Sequence, residues 1–69
     1  MNKEPRPTRI ARWLIDVQNH NAMGTIPLEE HVNMALVVEA NREGRTVYPL
    51  TVELVTTVKA EMRRLRGDA

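Results

Sequence analysis

Two histidines, His20 and His31, stand eleven residues apart, and Asp16 lies one helical turn before His20. A metal site needs three or four converging ligands, so this set serves one only if the fold brings separate elements together. Read locally, His20 closes a helix and His31 sits at the edge of a core, and neither role needs a ligand. The chain has no cysteine, which removes thiol nucleophiles, disulfides and Cys-based zinc sites. There is no HExxH and no glycine-rich phosphate loop, and no threonine sits in a nucleophile setting. Sixty-nine residues also leave little room to enclose a substrate pocket of ordinary volume. The expectation is a protein without catalytic residues, metal or cofactor.

The remaining chemistry lies in charge. Net charge is +1 but unevenly spread. Lys3, Arg6, Arg9 and Arg12 oppose a single Glu4 in residues 1–13, whereas residues 14–41 carry Asp16, Glu29, Glu30 and Glu39 and no Lys or Arg. Residues 42–69 return to a slight positive excess. Eight of the ten cations are arginine, the side chain suited to bidentate and interface contacts. Arg9 and Arg12 oppose the dipole of the helix they begin, which points to an acidic partner or to Glu29 and Glu30 of the next helix.

Three helices must position these groups. Residues 1–7, with two prolines and no periodicity, read as a flexible basic arm. In residues 8–22, Ile10, Trp13, Leu14 and Val17 follow helical spacing, with Thr8 as N-cap, Trp13 facing the core and Ile15 on the opposite side with Ala11 and Ala22. Gly24 suits a left-handed cap. Residues 27–42 form a second helix that starts with Pro27 and ends at Gly44. Leu28, Val32, Ala35, Leu36 and Val38 cover one broad arc, and Met34 and Val37 carry it past half the circumference. A helix this apolar is expected to be covered on several sides, which makes it the central element. Glu39 interrupts the arc and is a candidate for a buried ion pair with an arginine of the third helix or of another subunit.

Residues 46–58 are rich in β-branched side chains, so an extended segment competes there. Helical spacing prevails: Thr51, Val55, Val58, Met62 and Leu65 form a heptad-like seam, widened by Leu54, and Leu50 and Val55 are placed for a hydrophobic staple after an N-cap at Thr51. Arg63, Arg64 and Arg66 suit the dipole at the helix end, and Gly67 stops it. The predicted fold is all-α: a small three-helix domain, helices at about 8–22, 27–42 and 51–66.

A chain of this size buries too little surface to offset its ordering entropy comfortably. Without disulfides or metal, self-association is the expected source of extra stability, and a homodimer is anticipated. Ile15, Met34, Val37, Arg63, Arg64 and Arg66 are the candidate residues for a dimer interface or partner-binding surface. No apolar stretch approaches the length of a membrane span, and residues 1–9 lack the apolar core of a signal peptide, so a cytoplasmic protein without membrane partners is expected. The functional expectation is a protein–protein interaction module. It would regulate or inhibit a larger protein by occluding a surface, as small phage and mobile-element products do to host machinery. The alternative is a dimeric DNA-binding regulator that uses the basic arm and the C-terminal arginines on phosphates. Against it, the third helix opens with TVELVTT, poor material for a recognition helix.

Overall fold

Helix α1 spans Arg6–Asn19, α2 Leu28–Glu43 and α3 Val52–Arg66 in a computed structural model that describes residues 4–20 and 24–67. Among the described residues there is no strand, and residues 46–50 are irregular coil. The domain measures 35 × 31 × 23 Å. Among the described residues no helix is long and apolar enough to cross a membrane.

The seam of α3 is as its spacing predicts: Val55, Val58 and Met62 are buried, and Leu54 and Leu65 pack at its margin. Thr51 caps this helix, its hydroxyl accepting the Leu54 amide at 3.1 Å, and Gly67 ends it with φ 84°, a conformation that costs glycine nothing. The core consists of these residues with Ile10, Ala11 and Leu14 of α1 and Val32 and Leu36 of α2.

The central element is α1, not α2. Helix α1 lies between the other two and packs most extensively on α3. Ala11 is fully buried, and so small a side chain lets α3 approach closely. In α2, His31, Val32, Leu36 and Ala40 are buried, while Met34, Val37 and Val38 remain exposed. The reason is geometric: apolar residues spread around most of a helix cannot all face two neighbours that lie on one side of it.

Helix α1 begins two residues before the expected cap and takes in Arg6 and Pro7 of the expected arm. Pro5 is its N-cap residue, its carbonyl accepting the Thr8 and Arg9 amides at 3.0 and 3.1 Å, and Pro7 occupies the first turn, where no amide is needed. Thr8 is therefore no cap. It is buried, and its hydroxyl donates to Glu61 of α3 at 2.7 Å, a tertiary partner that local sequence does not reveal. The helix ends at Asn19. Residues 1–3 of the arm and the expected last turn, with Ala22, lie outside the described residues. Pro27 precedes α2 as its N-cap residue instead of beginning it.

Three further expectations for α1 fail. Ala11, expected with Ile15 on the side away from the core, is fully buried in it, because α3 packs on that flank. Trp13 is 39% exposed, because aliphatic side chains fill the core and leave the indole at its rim, 6.5 Å from the His31 ring. Ile15 is half-buried and packs against the core, because α3 covers the flank of α1 that also carries Thr8.

Candidate functional site

Glu39 organises one end of the α1–α2 pair. Its carboxylate accepts Arg6 Nε at 2.7 Å, Arg9 Nη2 at 2.7 Å and Arg45 Nη2 at 3.0 Å. The ion pair expected for Glu39 thus forms, but with α1 and the loop after α2. Helix α3 supplies none of these arginines. The guanidinium carbons of Arg6 and Arg45 each lie 4.1 Å from the centroid of the Tyr48 ring, a cation–π arrangement that holds residues 45–48 against the start of α1. Burial raises the Glu39 carboxyl, and hydrogen bonds from Arg6 and Arg9 outweigh it, leaving the group below its ordinary range. Arg12 pairs with Glu4 at 2.6 Å, so neither Arg9 nor Arg12 turns to Glu29 or Glu30.

Beside this cluster, α1 and α2 enclose a groove of about 160 Å³. Its apolar lining is Ile10, Trp13, Ala35 and Val38, and its charged lining is Arg9, Arg42 and Glu39. Met34, one turn from Val38, extends the apolar surface, and Val37 flanks it. Met34 and Val37 are exposed, whereas Ile15 is half-buried and packs against the core on a different flank.

The outer face of α3 is the second exposed surface. Val52, Thr56, Lys59, Arg63 and Arg66 follow one another at spacings of 4, 3, 4 and 3 and are all exposed. Val52 is 83% exposed. Among the described residues none forms an ion pair with Lys59, Arg63 or Arg66. Arg64 differs from its neighbours: it points to Glu61 at 2.7 Å and leaves the stripe. Hydrogen bonds from Arg64 and then Thr8 hold the Glu61 carboxyl down at about 2. Next to the stripe, Leu50, Val52 and Val55 line a groove of about 280 Å³ whose polar edges are Glu29 and Lys59.

Comparison with protein-family models, curated proteins and solved structures finds no match. The surfaces themselves must carry the functional argument. Among the described residues no three His, Asp or Glu side chains group as a metal site. His20 instead bonds the Asp16 carbonyl oxygen at 2.8 Å, and His31 is buried beside Trp13. Lys59, Val52 and Arg42 are absent from the sequence-derived candidates. The signal for Lys59 was present, since it stands four residues before Arg63 and seven before Arg66 on one helix face. Arg42 gains significance only from its position across the groove from Trp13.

Proposed function

We propose that the protein is an interaction module that docks on an acidic, partly apolar surface of a larger protein through the outer face of α3, and that it regulates its target by occluding that surface. The observation that supports this reading most directly is the continuity of Lys59, Arg63 and Arg66, which form no ion pair among the described residues, with the exposed Val52 and its apolar groove. Interfaces combine such an apolar anchor with arginine. Intramolecular order supplies the rigidity, because the same helix buries Val55, Val58 and Met62 on its other side.

Nucleic acid is the weaker candidate. Arg6, Arg9 and Arg12 are engaged by Glu39 and Glu4, which diminishes the basic arm as a phosphate contact. The opening turns of α3 present Val52, Glu53 and Thr56 and no cation. Three cations over one helix face also give a small electrostatic footprint for a DNA-binding domain.

The test is capture from lysate on the immobilised full chain, with and without nuclease and at low and moderate salt. A stoichiometric protein is expected that survives nuclease and is lost with Arg63→Gln/Arg66→Gln, while circular dichroism shows unchanged helicity. Recovery of nucleic acid that nuclease removes would refute the reading, as would a protein still captured by the double variant.

A further inference from the structure

Two rows of side chains run along the face shared by α1 and α2. On α1, Arg9, Trp13 and Asp16 lie at i, i+4 and i+7, all exposed. On α2, Arg42, Val38, Met34 and Glu30 follow one another at steps of four, again all exposed. The two helices are antiparallel: Glu39, late in α2, meets Arg6 and Arg9 at the start of α1, whereas His31, early in α2, packs beside Trp13. Reading α2 backwards therefore follows the direction of α1. Both rows then pass from cation through apolar residues to acid.

The ends keep their charge. At one end Arg6, Arg9 and Arg45 share the Glu39 carboxylate and Arg45 also pairs with Glu43, while Arg42 has no ion pair among the described residues, so four arginines stand against two carboxylates there. At the other, Glu30 has none either, and Asp16 stands 3.6 Å from the exposed His20 ring.

We propose that this face is a homodimer interface and that its occupant is a second copy of the chain. A two-fold axis lying in the face and crossing both helices reverses the rows of one copy against those of the other. It sets Arg9 opposite Asp16 and Arg42 opposite Glu30 across the dimer, and closes Trp13, Met34 and Val38 on their counterparts. The parallel alternative stacks cation on cation and acid on acid, which like-charge repulsion disfavours. An apolar middle with charged ends has the composition of an interface core and rim. The groove between Trp13 and Val38 offers a recess for an aliphatic side chain of the other copy. The second copy also supplies the apolar burial that so short a chain lacks alone. The α3 stripe belongs to a different face and remains available in the dimer.

Sedimentation equilibrium and light scattering on the full chain test this at high micromolar concentration. The expected mass is twice 7.9 kDa. Arg42→Glu and Glu30→Arg each place like charges together twice, and each is expected to raise the dimer dissociation constant at least about tenfold. Mixing these two variants is expected to restore a dimer, since the mixed pair regains two opposite-charge contacts. Both positions are exposed, and helicity by circular dichroism checks that folding is intact. A monomeric wild type overturns the proposal and gives the face to a different protein. Single variants that dimerise as wild type, or a mixture of monomeric variants that fails to recover, overturn the two-fold arrangement. Failure here leaves the α3 capture experiment unaffected, because its variants lie on another face.

Discussion

Glu39 is a polar residue on the largely apolar α2, and its three arginines explain how it is tolerated there. A half-buried carboxylate with several charge-assisted hydrogen bonds is well compensated, and removing it leaves Arg6 and Arg9 without a carboxylate beside Arg45, which keeps Glu43. Glu39→Ala is expected to destabilise the fold by about 1–3 kcal/mol, read by urea denaturation. The loss should shrink in high salt for the exposed part of the cluster. Glu61 carries a pH signature of its own. Its carboxyl lies near 4.5 when unperturbed and at about 2 in the folded chain. A folded pKa below the unfolded one contributes stability that is complete above 4.5 and is lost as pH falls towards 2. The melting temperature is expected to drop across that interval, and Glu61→Gln should flatten the drop. A slope unchanged by the substitution would exclude Glu61 as its source.

At the scale of the helices, each terminus has an assignable physical cause. The Thr51 hydroxyl satisfies the Leu54 amide, so Thr51→Ala is expected to cost about 1 kcal/mol, measured as a shift in the urea midpoint. The α1–α3 contact depends on the smallness of Ala11, which is fully buried. Ala11→Leu is expected to force the helices apart and cost roughly 1–3 kcal/mol, whereas the same change at the exposed Ala60 should be close to neutral. Thermal melts of the two variants side by side distinguish a packing cost from a propensity effect. Helix α2 shows the converse case. Its apolar residues encircle it, and packing consumes only the arc through Val32, Leu36 and Ala40.

For the molecule as a whole, the exposed part of α2 and the outer face of α3 are two distinct surfaces. The first is self-complementary in charge, and the second is cationic from Lys59 onward. If a second copy covers Trp13, Met34 and Val38, association is linked to folding by mass action. The melting temperature of the wild type should then rise with protein concentration, and that of Arg42→Glu should rise less. Concentration-independent melting of the wild type would contradict this linkage. If α3 binds the target as proposed, capture by Arg42→Glu should fall only through lost bivalency.

Local order was largely legible from the sequence. The three helices, the Thr51 cap, the stop at Gly44 and Gly67 and the α3 seam all follow from periodicity and cap chemistry, because these depend on residues within a turn or two of one another. The arginines at the end of α3 could be read in the same way. Tertiary contact decided the rest. It made α1 the centre, since the clean stripe with Ala11 outcompetes the more apolar but diffuse α2. It turned Thr8 from a cap into a partner of Glu61, gave Glu39 its arginines from α1 and the following loop, and moved Ile15 inward and Trp13 to the rim. Spacing along one helix fixes which residues share a face. Which face meets a neighbour depends on competition among all three helices for the same small core, and that competition is settled only when they pack.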